Sequence, residues 1–371
     1  MLKQYKLRNY HFQLIISIIA LNIIGILLIG SAKKSVQKTQ IMGFILGVII
    51  MLVISIMDYS FILRFTWVYY VGIVGLLVMV MIPGIGDDSH GAQRWIQLPG
   101  FRFQPSELAK IVIILFFAYF FTKYQENLNT VKTLGMSFVL VGIPLALIYK
   151  QPDTSTTIAI ALIFVSLLFI AGLSYKIVLT VLGICIPVGI IGISMILRKA
   201  LSGDGDYRYG RIMSWLYPKD PRWSDIAAQQ QNSIMAIGSG QLWGKGLNNS
   251  VATSMKNANY IVEPQTDFIF AVAGEELGFV GLLVIVLLLL FIIIECILIG
   301  RKAKDLQGRL ICIGMAALVG FQSVFNIFVA TGLMPNTGIP LPFVSYGLTS
   351  LLSLYIGMGF VLNVGLQPKK Y

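Results

Sequence analysis

Charge is scarce in this chain. Only 12% of its 371 residues are Asp, Glu, Lys or Arg, against 57% hydrophobic residues. A soluble globule would carry about 25% charged residues, so a soluble fold is excluded and a polytopic membrane protein is expected, with dimensions set by the bilayer. Acid is scarcer than base, 16 residues against 28, for a net charge of +12. In so apolar a chain the excess base orients the spans, and no nucleic-acid partner is expected. Histidine is nearly absent: His11 and His90 are the only two, and neither sits in a motif. Any general base is therefore a carboxylate. The three cysteines, Cys185, Cys296 and Cys312, lie in apolar runs and read as small core residues, which excludes a disulfide framework or a zinc cluster. P-loop, zincin and Ser/His/Asp patterns are also missing.

Long apolar runs are abundant. A window of about 19 residues finds ten, near 13–30, 40–57, 66–83, 107–121, 134–149, 156–171, 176–197, 275–299, 310–330 and 346–364. The opening "MLKQYKLRNYHF" precedes an apolar stretch too long for a signal core, so it reads as a retained first span. Ten spans put both termini on one side. With that side cytoplasmic, inner segments hold about 13 Lys and Arg and short outer loops about 6, as the positive-inside rule requires. "RKAKDLQGR" (301–309) contributes most, while Lys33, Lys34 and Lys38 run against the trend. The expectation is an all-α polytopic membrane protein, one integral membrane domain over 1–371. Its ten transmembrane helices would carry a large extracytoplasmic loop, about 198–267, between spans 7 and 8. That loop mixes Gly, Trp, Tyr and charge, which suits an ordered segment.

The chemically unusual residues fall in the outer connections. "EPQTDFIFAVAGEELGFVG" (263–281) leads into a span with Glu263, Asp267, Glu275 and Glu276 and no Lys or Arg. Carboxylates there are costly and need a reason. A single helix from Asp267 to Ile294 would be about 42 Å long, more than the hydrocarbon thickness, so its first turns should lie outside it. Asp267 with Thr266 could be a helix N-cap, or Asp267 could accept a proton beside a basic cavity. Glu275 and Glu276 do not share a face with it, and either pair with basic groups elsewhere or turn toward the loop. In "QPSELAK" (104–110) Ser106 suits an N-cap, and Glu107 and Lys110 are spaced to pair. That pair could be structural, or could hold Lys110 toward an anionic ligand. "KQPDTSTT" puts Asp153 before a span, as a cap or a functional acid. "GAQRWI" supplies Arg94, suited to phosphate, and Trp95, which could equally be an interfacial belt residue. "PNTGIPLPFVSYG" (335–347) reads as a stiff non-helical loop tucked into a cavity.

In these stretches, together with "YRYGRIMSWL" and "QQQNSIMAIGSGQLWGKGL", the chain resembles the SEDS family of shape, elongation, division and sporulation proteins, with its RodA, FtsW and SpoVE-like branches. The motifs span essentially the whole chain in the family's order. The resemblance implies a peptidoglycan glycosyltransferase in a bacterial plasma membrane. It would polymerise lipid II outside the cell into a growing glycan strand, for elongation or division, beside a class B penicillin-binding protein that cross-links it. Both termini would be cytoplasmic. It implies Asp267 as the essential acid, with Glu107, Lys110 and Asp153 matching further family positions. Two departures stand out: Gln265 where the family often has His, and Leu348–Thr349 where it often has Gly–Ser.

The expected mechanism has Asp267 deprotonate the acceptor sugar hydroxyl. The departing lipid pyrophosphate would be met by positive charge from Arg94, Lys110, Arg208 or Arg211, or by a divalent cation such as Mg or Mn. Trp95, Glu107, Asp153, Thr266, Glu276 and Ser345 complete the expected substrate-binding set. A lipid-linked precursor flippase would also suit ten spans with buried charge, and a non-catalytic scaffold would tolerate loss of the outer carboxylates.

Overall fold

The computed structural model describes residues 10–82, 86–87, 93–98, 101–177, 207–249 and 254–367. The helices in chain order are α1 (Phe12–Ala32), α2 (Lys34–Ile56), α3 (Tyr59–Ile62), α4 (Thr66–Val80), α5 (Pro105–Lys123), α6 (Val131–Lys150) and α7 (Thr154–Ala171). They continue with α8 (Tyr207–Leu216), α9 (Ser224–Ser239), α10 (Ile269–Arg301), α11 (Leu306–Ala330) and α12 (Leu348–Leu366). Among the described residues nine helical segments are long and apolar enough to cross a membrane, α3 and α4 counting as one. The protein is a multi-pass membrane protein. The seventh expected span, 176–197, lies outside the described residues from 178 onward, as does Cys185.

The bundle is built around α5, the most enclosed span. Its sequence is apolar on every side, as suits a helix surrounded by other helices. Phe116, Phe117, Phe120 and Phe121 are all buried. Phe116 stacks on Tyr70 of α4 at 4.5 Å, and Phe117 meets Phe164 of α7 edge-on at 4.8 Å. Glu107 and Lys110, the charges in the first turns of α5, therefore face protein and not lipid.

The otherwise helical fold has one addition. A small antiparallel sheet, β1 (Gly86–Asp87), β2 (Trp95–Leu98) and β3 (Phe101–Phe103), occupies the connection before α5. Ile96 pairs with Gly86 on one side and Phe103 on the other. The Thr349 hydroxyl at the start of α12 anchors the sheet by donating to the Arg102 carbonyl at 3.1 Å.

Within the segment expected as the large loop, the described residues 207–249 and 254–268 include helices α8 and α9. Helix α9 lies across the start of α10 and the end of α11 and donates to carbonyls at the end of α11. Gln230 donates to Val329 O (2.8 Å) and Met334 O (2.6 Å), and Ser233 to Ala330 O (2.8 Å). The proline-rich loop 335–347 is non-helical and folds inward, with Ile339, Leu341, Phe343, Val344 and Ser345 buried.

Two distinct ends result. At one, His11, just before α1, packs on Gly365 of α12, and Tyr59, Asp305, Asn363 and Gln367 join in a hydrogen-bonded group. The start and finish of the described chain thus meet there. The sheet, α9 and the segments around Asp267 gather at the other.

Candidate active site

The segment carrying Asp267 differs from the expected single helix. The helix starts at Ile269, its cap position is Phe268, and no side chain makes a cap bond, so neither Asp267 nor Thr266 is an N-cap. The helix is also broken. Gly278 has φ 67° and ψ −168°, a region accessible essentially only to glycine. Segment 241–246 of the large loop fills the break: Lys245 N–H donates to Glu275 O (2.9 Å) and Gly246 N–H to Glu276 O (3.0 Å). In return Phe279 and Val280 N–H donate to the carbonyls of Gln241 (2.8 Å) and Leu242 (3.2 Å). A Cβ on Gly278 would collide with Gly244 N and Leu242 O. Residues 279–301 alone give about 34 Å of helix, enough for the hydrocarbon core. The half-helix 269–277 and the residues before it thus stand at the membrane's edge, walled by α9 and the 335–347 loop.

Asp267 is held by its backbone. Its carbonyl accepts from the Asn326 amide at 2.8 Å, and the same amide donates to Ile339 O at 2.8 Å. On its other side the Ser345 hydroxyl donates to Thr266 O (2.7 Å) and accepts from Leu341 N–H (2.8 Å), while Tyr346 N–H donates to Gln265 O (2.8 Å). Ser345 and Thr266 therefore form a clasp that sets the Asp267 backbone. The half-buried carboxylate receives no hydrogen bond from the described residues. Burial pushes its pKa up to about 6; the guanidinium groups of Arg211 and Arg94 oppose this, and Glu263 and Asp153 reinforce it. These five side chains form one charged cluster, drawn from the residue before β2, the cap of α7, α8 and the loop before α10.

The remaining expected residues are placed as follows. Arg94 spans the QPD turn: Nε donates to Gln151 O at 2.8 Å and a terminal nitrogen to Pro152 O. It both shapes that turn and contributes charge. Asp153 is the N-cap of α7, accepting from Thr156 N–H at 3.1 Å, and its second oxygen accepts from Ser106 Oγ at 3.4 Å. Ser106 is not itself a cap; α5 begins at Pro105 after Gln104. Glu107 and Lys110 form the anticipated ion pair at 2.8 Å, both buried. Glu107 Oε2 has no partner among the described residues. Trp95 is half-buried on β2 and Arg211 half-buried on α8. The side chain of Arg208 lies outside the described residues, as does His90.

Glu275 and Glu276 do find basic partners. Glu275 accepts from Lys245 Nζ at 2.7 Å and from Met255 N–H at 2.9 Å; Glu276 accepts from Lys256 Nζ at 2.5 Å and from Ser31 Oγ. Glu276 is not among the groups whose charge acts on Asp267, so it joins the scaffold of the site and not its charged cluster. Sequence reading missed Lys245, Lys256, Ser31 and Asn326. Gly278, isolated in an apolar run, is the local signal that could have flagged the break. Among the described residues no three His, Cys, Asp or Glu side chains gather closely enough to hold a metal ion. Glu263, one of the two acids whose charge acts on Asp267, is hydrogen-bonded to Gln265. Within the described residues this donor set does not fit a resident cation.

Comparison with known proteins agrees with this architecture. The FtsW/RodA/SpoVE model of the "Cell cycle protein" family matches residues 5–370. The "Probable peptidoglycan glycosyltransferase FtsW" of Geobacter sulfurreducens is 32% identical, covering 98% of this chain and 97% of the relative. "Stage V sporulation protein E" of Bacillus subtilis is 36% identical over 88% of this chain and 86% of its own. Among solved structures, a chain of a peptidoglycan synthase complex superposes with a TM-score of 0.75 at 25% identity, over 96% of this chain and 97% of that one. Thermus thermophilus RodA superposes with a TM-score of 0.70 at 24% identity, over 98% of each chain. The resemblance read from the motifs is thereby borne out: the chain belongs to the FtsW/RodA/SpoVE family of cell cycle proteins.

Proposed function

We propose that the protein is a peptidoglycan glycosyltransferase that polymerises lipid II, with Asp267 as its general base. The observation that carries this is a carboxylate that receives no hydrogen bond from the described residues, raised to about pKa 6 and acted on by the charges of Arg211 and Arg94, just before the start of a broken helix. Such a group is ionised at neutral pH yet basic enough to take a proton. It accepts the proton of the acceptor sugar hydroxyl as the oxygen attacks the donor's anomeric carbon. The bond from that carbon to the pyrophosphate oxygen breaks, and the lipid pyrophosphate leaves with the electron pair. Attack opposite the leaving group inverts the centre. Pyrophosphate needs no protonating acid, so one carboxylate suffices where hydrolases use two. Arg211 is the best placed cation to meet the departing charge. Lys110 is neutralised by Glu107 within the bundle, and Arg94 and Asp153 fix the QPD turn.

Both described ends of the chain lie opposite Asp267, at the end that carries the basic segment 301–309. With the positive-inside rule this supports cytoplasmic termini and an extracytoplasmic site in a bacterial plasma membrane. The polymer would pass to a class B penicillin-binding protein, as the match to a synthase complex suggests. The break in α10 is a feature that a lipid flippase would share, but the charged cluster sits at one end of the bundle only, which favours an enzyme. The test is lipid II polymerisation by purified Asp267→Asn protein of verified fold. Loss of glycan product is expected; polymerisation at the wild-type rate would refute the role.

A further inference from the structure

The half-helix 269–277 is a lever about 13 Å long. Asp267 precedes one end, and Glu275 and Glu276 occupy the other. The backbone bonds from segment 241–246 hold that far end, and α9 presses on it through a glycine contact: a Cβ on Gly240 would strike Gly274 O. Two ion pairs on enclosed carboxylates then lock it, Lys256 buried and Lys245 partly exposed. Glu275 is fully enclosed and takes Lys245 Nζ (2.7 Å), Met255 N–H (2.9 Å) and Lys256 N–H (3.3 Å). Glu276 takes Lys256 Nζ (2.5 Å), which also donates to Ser31 Oγ at 2.6 Å at the last turn of α1. Loop, half-helix and first span thus meet in one charge-balanced knot. Enclosed ion pairs add little net stability over apolar contacts of the same shape. What they add is direction: a carboxylate with fixed donors has one acceptable placement.

We infer that Lys245 and Lys256 are positioning residues for the reaction, clamping the lever so that Asp267 is held at the acceptor hydroxyl, with Ser31 tying the clamp to α1. The inference rests on Asp267 acting as the base. A tilt of about 5° at the clamp moves the other end about 1 Å, and a displacement of that size can lower turnover about a hundredfold. The clamp also makes the large loop and α1 the route by which events outside the site reach Asp267.

The test compares wild type, Lys256→Met/Glu276→Met, Lys256→Arg and Asp267→Asn, each as the full chain. It reads amide hydrogen exchange over 269–277, kcat and KM for lipid II, and the acid limb of the pH profile. Removing both charges avoids leaving one buried alone. The double variant should show exchange in 269–277 faster by about tenfold or more and kcat lower by about a hundredfold with KM little changed. Its acid-limb midpoint should fall as water reaches the carboxylate. Lys256→Arg should restore kcat and the midpoint. Asp267→Asn should lose turnover with exchange unaltered. If the double variant fails to fold, Ser31→Ala should show the same three changes at smaller size. Wild-type kcat and midpoint in the clamp variants, with Asp267→Asn inactive, would overturn the clamp and leave the base assignment standing. An active Asp267→Asn would overturn both.

Discussion

The two ends of the molecule handle buried acids differently. At the end where the chain's start and finish meet, every enclosed or half-enclosed acid among the described residues has donors. Asp305 accepts from the Tyr59 hydroxyl at 2.9 Å and from Gly308 N–H at 2.7 Å as the N-cap of α11. Asp58 accepts from Ser60 N–H at 2.9 Å, and Glu295 faces His11 Nδ1 at 3.2 Å. At the opposite end Glu107, Asp153, Glu275 and Glu276 are treated in the same way. Asp267 alone is fixed through its neighbours' backbone while its carboxylate receives no donor from the described residues. A carboxylate surrounded by donors holds the fold together; one deprived of them keeps its basicity.

That contrast can be broken by substitution. The largest effect belongs to Asp267→Asn, which should lower polymerisation by about 10²–10⁴ while raising thermal stability at pH 8. The sign follows from the raised pKa: above about 6 the wild type holds an ionised group that burial disfavours, and Asn removes that penalty. The gain in melting temperature should shrink as pH falls through about 6 and vanish only below about 3.8, where the carboxyl is protonated in the unfolded chain as well. Next, Glu107→Gln leaves Lys110 buried without its counter-ion and should destabilise by about 3–5 kcal/mol in denaturation, a loss that Glu107→Gln/Lys110→Met largely restores. Gly278→Ala should be the more harmful of two glycine changes. Its φ is 67° and its surroundings are backbone, whereas Gly172 at φ 105° has open space around a Cβ and should cost only about 1–2 kcal/mol. The smallest effect is at the far end. Asp305→Ala should cost about 1–2 kcal/mol through its lost cap and leave the pH dependence of turnover unchanged.

Local chemistry was legible in the sequence where it depends on local spacing. Span lengths follow from hydropathy, the Glu107–Lys110 pair from its i,i+3 separation, and the Asp153 cap from its place before a Thr-rich helix. The proline-rich segment 335–347 was legible too, because its backbone has no helical option. Contacts across the fold were not. Lys245 and Lys256 reach Glu275 and Glu276 only because a loop inserts at Gly278, and no periodicity encodes that insertion. Thr266–Asp267 looked like a cap because residue type fits one; the neighbouring Ser345 and Asn326 bonds win instead and delay the helix to Ile269. The small sheet rests on Thr349, nearly 250 positions away in the chain, again beyond any local pattern.

The central claim is that Asp267 works as a base because its surroundings raise its pKa. The most direct measurement is the pH dependence of kcat for lipid II polymerisation by the wild-type protein. The account predicts an acid limb of unit slope with its midpoint near pH 6. A rate that stays level down to pH 4.5 would contradict it.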